Sequence, residues 1–186
     1  MNNNLVMDAM RLAERAHRLK GQFRKAPKGE DRPAYFLHLV EVSWMLQEAG
    51  LTDEVVAAGY LHDMLEDCGY TRDQLAEEIS NEPVADLVQW VSEPEKDRSW
   101  EERNAVYLER MKDASSDVRS LSCADKTSNL RDMGRLLDRG YKLDDFLNRG
   151  LKLQLAKFNG LDELYKDNVA NSIYSRFNTA FERLKG

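Results

Sequence analysis

The chain has 186 residues, of which 42% are hydrophobic, and a formal net charge of −6. This length suits one domain with a sizeable core, and the acidic balance argues against nucleic-acid binding over the whole surface. No apolar run approaches the roughly 20 residues of a membrane span, and MNNNLVMDAM does not resemble a signal peptide, so we expect no membrane association. Two cysteines, Cys68 and Cys123, are too few for a disulfide framework and favour a cytoplasmic location.

Charge is distributed unevenly along the chain. Residues 1–28 carry seven lysines and arginines against two acidic residues, whereas residues 52–86 carry ten acidic residues against one arginine. An acidic segment can hold a cation and a basic one can hold phosphates, so a fold that joins them would suit a metal-assisted phosphohydrolase. Such runs are usually solvent-exposed helix faces, and charge alone favours that interpretation.

Hydrophobic periodicity and capping residues predict helices along the chain, with no convincing strand pattern and no internal repeat. Thr71 with Gln74, and Ser99 with Glu102, form capping boxes. The predicted helices cover residues 4–20, 35–49, a segment that starts after an N-cap at Thr52, 71–80, 83–91, 99–112, 117–137, 143–158 and 161–184.

This pattern predicts an all-α fold in a single domain over residues 1–186. The core that bears the motifs is about residues 4–138, and additional helices lie within 141–186. A polar, proline-containing loop over residues 22–33 separates the first two helices.

The helix that follows Thr52 carries four ionisable residues within the sequence YLHDMLED at residues 60–67. Such groups on an otherwise apolar helix are costly to bury unless they are paired or bind a metal. Helical spacing places His62 above Glu66, and Asp63 above Asp67, on two adjoining strips of one continuous helix. The segment therefore predicts a site.

Two other predicted helices place polar groups on their buried stripes. His38 shares its stripe with Val42 and Met45, and Asp125 and Asn129 follow Leu121 at helical spacing. His38, His62, Asp63 and Asp125 together form a His₂Asp₂ set suited to catalytic Mn²⁺, Fe²⁺ or Zn²⁺ rather than structural zinc. Glu66 and Asp67 could then activate a water and protonate a leaving group.

The succession His38, His62-Asp63 and Asp125 resembles the HD-domain metal-dependent phosphohydrolases. Finer details are similar to the hydrolase domain of the Rel/Spo-type alarmone enzymes over about residues 7–135. These details are the basic pair Arg24-Lys25, the Glu66-Asp67 extension of the HD pair, and the run ADKTSNLRD at residues 124–132. The length is similar to that of the stand-alone small alarmone hydrolases.

The resemblance implies a single HD-domain helical bundle that removes the 3′-pyrophosphate of ppGpp or pppGpp, with Mn²⁺ as the usual metal. It implies His38, His62, Asp63 and Asp125 as metal ligands and Glu66 with Asp67 as the water-activating pair. It further implies that Arg24 and Lys25 meet the nucleotide and that Asn129 contacts base or ribose. The expected partner is a small-molecule nucleotide, with no nucleic acid and no membrane; oligomeric state stays open, and a homodimer is one option.

The chain departs from the family pattern at one place. The family has His-Pro at the second motif, whereas Leu39 follows His38 here, and the preceding loop reads APKGEDRPA at residues 26–34. Two alternatives therefore accompany the alarmone hypothesis: an HD phosphatase for a nucleoside monophosphate or a 2′- or 3′-phosphorylated nucleotide, and a non-catalytic nucleotide-binding HD module. His17 is either structural or close to the nucleotide.

Overall fold

The computed structural model describes residues 4–27, 29–93, 97–145 and 149–185. Regular structure in these ranges is helical, apart from an isolated antiparallel bridge between Phe23 and Ala34. The all-α prediction is confirmed. Lys28 of the predicted loop and residues 146–148 of a predicted helix lie outside the described residues. The chain forms two compact units, residues 1–94 and 95–186, and the prediction of one domain over residues 1–186 stays a prediction.

The first unit is built around a short central helix, α3, which packs against α1, α2 and α5. Alanine and valine side chains of α3 are almost fully buried, and so are several alanines of α1, which lets the helices pack closely. The elements of this unit are α1 (Leu5–Leu19), α2 (Phe36–Glu48), α3 (Asp53–Leu61), a π-helical turn (Met64–Cys68), α4 (Arg72–Ile79) and α5 (Glu82–Val91).

A glycine sets the distance between α2 and α3. A Cβ atom on Gly59 would lie 2.7 Å from Ser43 Oγ and 2.8 Å from Leu46 Cδ1, so only glycine permits this approach. Because α2 carries His38 and α3 ends beside His62, the contact brings the two histidines together.

The continuous helix predicted through Asp67 is wrong, since α3 ends at Leu61 and a π-helical turn follows. The wider turn rotates the following residues, so that Met64 is fully buried while Leu65 is only half-buried. Asp63 sits at the junction with φ −96° and ψ 5°, a sparsely populated conformation common at functional sites. Gly69, with φ +79°, ends the turn.

The second unit packs α7 against α8 and α9, and α6 against α8. Its core contains the buried hydroxyl of Ser122 between two tyrosines, 2.6 Å from Tyr107 Oη and 2.6 Å from Tyr165 Oη, beside a cluster of phenylalanines. Its elements are α6 (Trp100–Asp113), α7 (Ser116–Asp138), a 3₁₀ turn (Leu143–Asp145), α8 (Leu151–Tyr165) and α9 (Asn171–Lys185).

Most predicted helix boundaries agree with the structure to within two residues, and both capping boxes are present. Thr52 stands at the N-cap of α3, but its side chain makes no capping hydrogen bond. The predicted bounds of the last two helices, 143–158 and 161–184, are wrong, because α9 begins only at Asn171 and α8 (Leu151–Tyr165) runs through Gly160. A Cβ atom there would lie 3.2 Å from a Leu108 methyl, so this glycine serves helix packing rather than helix termination. No helix in the described ranges has both the length and the apolar character needed to cross a membrane.

Candidate metal centre

Three potential metal ligands converge in the first unit. His38 Nε2 lies 3.2 Å from His62 Nε2, and Asp63 Oδ2 lies 3.0 Å from His62 Nε2 and 3.8 Å from His38 Nε2. Neighbouring donors around one first-row ion at about 2.1 Å are roughly 3.0 Å apart in octahedral geometry and 3.4 Å apart in tetrahedral geometry. The donor set and its spacing therefore fit a divalent metal ion.

A backbone carbonyl orients His62 for this role. His62 Nδ1 lies 2.8 Å from the Gly59 carbonyl oxygen, which can only accept a hydrogen bond, so Nδ1 carries the proton. Nε2 is then left with its lone pair facing His38 and Asp63. Metal-binding histidines generally show this arrangement, in which the second nitrogen donates to a fixed acceptor.

Tyr35 holds the carboxylate of Asp63. Its hydroxyl donates a 2.7 Å hydrogen bond to Asp63 Oδ2, the oxygen that faces the two imidazoles. Burial raises the pKa of Tyr35, and the negative charge of Asp63 raises it further. The phenol therefore remains protonated and keeps its role as donor at any physiological pH.

His17 lies behind Tyr35. The two rings stack with their centroids 5.1 Å apart, and His17 Nδ1 lies 2.5 Å from Gln22 Oε1. Burial lowers the pKa of His17, although Gln22, Asp63 and Asp67 act in the opposite direction. A neutral ring follows, with Nδ1–H donating to Gln22. Nε2 is buried and has no hydrogen-bond partner among the described residues. Both predicted roles of His17, structural or close to the nucleotide, stay predictions.

The predicted water-activating pair lies on the π-helical turn, which directly follows His62 and Asp63 in the chain. Glu66 Oε1 accepts a 2.8 Å hydrogen bond from the backbone amide of Glu93, just after α5, and this contact fixes the carboxylate. Asp67 is half-buried, and Gln22 Nε2 donates to its backbone oxygen at 3.4 Å. Burial of the thiol raises the pKa of Cys68 to about 11, and the negative charges of Asp67 and Asp63 add to this shift.

The loop that follows α1 brings one of the two predicted basic residues to the site. The guanidinium of Arg24 lies over the Tyr35 ring, 5.4 Å from its centroid, and is half-buried. The loop is held by the bridge at Phe23 and by a 2.8 Å hydrogen bond from the Arg24 amide to the Pro33 carbonyl. Lys25 is exposed in the same loop, and its predicted contact with nucleotide stays a prediction.

Asp125 and Asn129 lie in the second unit, on the buried side of α7 as their spacing predicts. Lys126 Nζ donates a 2.7 Å hydrogen bond to Asp125 Oδ2, and Asn129 Nδ2 donates a 2.6 Å hydrogen bond to Asp125 Oδ1. Lys126 is itself nearly buried, with its ammonium 5.1 Å from the centroid of the Tyr107 ring. The carboxylate that the sequence singles out is thus held by a cation and an amide.

A family model described as HD domain matches residues 9–142. The chain belongs to the HD-domain family. The guanosine-3′,5′-bis(diphosphate) 3′-pyrophosphohydrolase MESH1 of Homo sapiens is 34% identical to this HD-domain protein over 138 residues, which is 73% of either chain. The same enzyme from Danio rerio is 32% identical over 139 residues, or 74% of this chain and 73% of that one.

Other matches extend the likeness. The enzyme of that name from Haemophilus influenzae is 36% identical over 130 residues, which is 67% of this chain but 18% of the longer protein. The solved structure of a metazoan SpoT orthologue, described as hydrolysing ppGpp, matches with a TM-score of 0.79 at 23% identity and covers 96% of this chain and 94% of that one. A Listeria monocytogenes structure matches with a TM-score of 0.70 at 29% identity and covers 82% and 96%. The all-α HD fold is confirmed.

The residues that orient the candidate ligands could not be predicted from the sequence pattern. The sequence predicts Tyr35 only as the start of a helix and Gln22 only as part of a polar loop, and it gives no signal for Gly59. The stacked His17 and Tyr35 lie on either side of the loop between α1 and α2, so no single helical pattern relates them. One sequence signal could have indicated Tyr35: a tyrosine three positions before the candidate ligand His38 can supply a hydroxyl that supports a metal ligand.

Proposed function

We propose that this protein is a metal-dependent hydrolase that removes the 3′-pyrophosphate of ppGpp or pppGpp, giving GDP or GTP and pyrophosphate. The observation that carries the proposal is the cluster of His38, His62 and Asp63, whose donor atoms all lie within 4.8 Å of one another. It occurs in a chain that shares 32–34% identity with enzymes named for this reaction over about three quarters of their length.

Mn²⁺ is the proposed metal, since two imidazoles with carboxylates and no thiolate suit Mn²⁺ and Fe²⁺, and Zn²⁺ also accepts them. Asp125 is the proposed fourth ligand, on the strength of its place in the motif order. A divalent ion held by these residues would supply Lewis-acid activation of water and of a phosphoryl oxygen.

Glu66 and Asp67 are the proposed catalytic carboxylates. In the hydrolysis, a water oxygen bonds to the phosphorus next to ribose O3′, and the bond from that phosphorus to O3′ breaks. The water loses a proton and O3′ gains one, so the reaction needs a base and an acid. Glu66 is held by the Glu93 amide in one orientation, which suits it to the attacking water. Asp67, two positions before Gly69, is the proposed donor to O3′.

Arg24 is the best supported of the proposed nucleotide contacts. Its guanidinium lies over Tyr35, which in turn binds Asp63, so a charge able to stack on a base or fork onto a phosphate stands beside the metal ligands. Lys25 is proposed as a second phosphate contact and Asn129 as a contact to base or ribose. A small-molecule nucleotide is the proposed partner and the cytoplasm the proposed location; a homodimer stays an open option.

The test is turnover of ppGpp by Mn²⁺-loaded protein, with products separated by anion exchange, beside Asp63→Ala and the exposed control Asp73→Ala. We expect GDP and pyrophosphate from wild type and Asp73→Ala, and none from Asp63→Ala. Intact ppGpp together with phosphate release from a nucleoside monophosphate or a 2′- or 3′-phosphorylated nucleotide would show the HD-phosphatase alternative instead. Binding without turnover of any of these would show the non-catalytic one.

A further inference from the structure

Gln22 is bound through its backbone to the elements on both sides of it. Its amide donates to the carbonyl of His17, in the last turn of α1, at 3.2 Å. Its own carbonyl accepts a 3.2 Å hydrogen bond from the amide of Tyr35, one position before α2. Gly21, with φ +62°, provides the turn that leads out of α1. The backbone of Gln22 is therefore fixed, and its side chain starts from a defined point.

The side-chain amide of Gln22 bridges α1 and the π-helical turn. Its Oε1 accepts a 2.5 Å hydrogen bond from His17 Nδ1, and its Nε2 donates to the carbonyl oxygen of Asp67 at 3.4 Å. The thiol of Cys68 also donates to Oε1, with Sγ 4.0 Å away. The Asp67 carbonyl accepts but cannot donate, so it must face the NH₂ group rather than the oxygen of the amide. Both ends of the amide are therefore in use.

These contacts close a ring that contains both a proposed metal ligand and a proposed catalytic carboxylate. The ring of His17 stacks on that of Tyr35, and the Tyr35 hydroxyl donates to the carboxylate of Asp63 at 2.7 Å. The Asp67 amide donates to the Asp63 carbonyl at 2.9 Å. The two aspartates are thus joined directly through the backbone and a second time through the side chains of Gln22, His17 and Tyr35. Such a closed network restrains its members more than separate pairs of contacts do.

We propose that Gln22 is a positioning residue, which holds the π-helical turn so that Glu66 and Asp67 keep their places relative to the metal ligands. This inference rests on the proposed function, in which the two carboxylates act on the attacking water and on O3′. Proton transfer needs the acid or base within hydrogen-bond reach, so a carboxylate on a loose turn loses its effect. The Glu93 amide holds Glu66 from the end of α5, and Gln22 holds the turn from the side of α1.

The two ends of the Gln22 side chain can be removed separately. Gln22→Met has nearly the same length but neither the N–H donor nor the oxygen acceptor. Gln22→Glu keeps an oxygen that accepts from His17 and loses the donor to Asp67. Gln47→Met is the matched control, because Gln47 is an exposed glutamine on α2 in the same unit.

The experiment is amide hydrogen exchange, followed by NMR, on the full chain without metal and without substrate. The amides of Asp67 and Tyr70 donate to backbone carbonyls within this segment and report its opening, and the amides of α4 are the reference. We expect both Gln22 variants to exchange the two reporter amides faster by about fivefold or more, the effect of losing one hydrogen bond of ordinary strength. The α4 amides should not change, and Gln47→Met should exchange like wild type.

Steady-state hydrolysis of ppGpp measures the catalytic consequence. We expect kcat of Gln22→Met to fall by about 10-fold to 100-fold, as when a reacting group is displaced, while Mn²⁺ affinity stays that of wild type. If wild type leaves ppGpp intact, the proposed function fails, and the exchange rates still decide whether Gln22 holds the turn.

Four results would each overturn the inference about Gln22. In the first, Gln22→Met exchanges like Gln47→Met; in the second, Gln22→Glu exchanges like wild type, so that the donor to Asp67 does not hold the turn. In the third, the α4 amides accelerate as much as the reporter amides, which would show a general loss of stability. In the fourth, the turn opens more often in Gln22→Met while kcat stays that of an active wild type.

Discussion

Tyr35 and Asp63, 28 residues apart in sequence, are joined by a 2.7 Å hydrogen bond from the phenol to the carboxylate oxygen that faces His38 and His62. The phenol sits one position before α2, and the carboxylate sits between α3 and the π-helical turn. Metal affinity in such a centre depends on the group that orients the carboxylate as well as on the carboxylate itself.

We therefore expect Tyr35→Phe to lower Mn²⁺ affinity by about 10-fold to 100-fold while leaving the fold intact, as is common when a supporting hydrogen bond to a ligand is lost. Electron paramagnetic resonance of free Mn²⁺ during a titration measures the change. Tyr70→Phe is the matched control, since Tyr70 lies beyond the π-helical turn and makes no such bond to Asp63. Equal affinity in wild type and Tyr35→Phe would show that the phenol does not orient the ligand.

The residues of the candidate centre differ in how well the sequence predicts their positions. The periodicity of α2 predicts correctly that His38 is buried, because helical periodicity depends on local backbone geometry alone. The geometry at His62 and Asp63 is predicted wrongly in detail, since the argument assumes an α-helix where a π-helical turn follows Leu61. The role of Tyr35 could not be predicted, because a contact over 28 residues depends on how α2 and α3 pack.

The second unit shows the same limit. Capping residues and spacing predict α7 and its inward Asp125. A surface depression in this unit is lined by Arg131 of α7 and by Arg176 and Arg183 of α9, and at least 45 positions of sequence separate the α7 residue from those of α9. Their convergence depends on the packing of α9 on α7, which no local pattern encodes. Gly134 and Gly160 likewise have meaning only once the side chain that crosses each of them is known.

A substitution at Glu66 can remove the negative charge of its side chain without changing the position of that side chain. Glu66→Gln keeps an oxygen that can accept the Glu93 amide hydrogen bond but removes the base, so we expect kcat to fall by about 10²-fold to 10⁴-fold with Mn²⁺ affinity unchanged. Steady-state kinetics on ppGpp measure the change in kcat, and a Mn²⁺ titration measures the affinity for the metal. Glu77→Gln, an exposed change on α4, is the control. A Glu66→Gln enzyme with wild-type kcat would remove Glu66 from the proposed pair.

Gly59 links helix packing to the metal centre. In Gly59→Ala the new methyl meets Ser43 Oγ at 2.7 Å and Leu46 Cδ1 at 2.8 Å, so α2 and α3 must move apart. We expect a loss of about 1–3 kcal/mol in the free energy of unfolding, typical of overpacking. We also expect weaker Mn²⁺ binding, because His38 lies on α2 and His62 directly follows the last residue of α3. Urea unfolding and a metal titration measure both effects.

The matched control for that change is Gly160→Ala. Its closest neighbours are the methyl groups of Leu108, the first at 3.2 Å, and these lie at the flexible end of a side chain. We expect a smaller loss of stability there and no change in Mn²⁺ affinity. If Gly59→Ala binds Mn²⁺ as tightly as Gly160→Ala does, the α2/α3 spacing does not control the centre.

His17 makes stability depend on pH. Burial lowers its pKa in the folded state from the ordinary value of 6.5, so below pH 6.5 the unfolded chain takes up a proton that the folded chain resists. The unfolded state then binds more protons, and the free energy of unfolding falls as the pH is lowered from 6.5 towards the depressed folded value.

We expect His17→Gln, which cannot titrate, to lose less stability than wild type between pH 7.5 and pH 5.5 in urea unfolding experiments. The substitution leaves His38, His62 and the surrounding carboxylates in place. Parallel stability curves for the two proteins over this interval would mean that His17 accepts its proton as easily when folded as when unfolded.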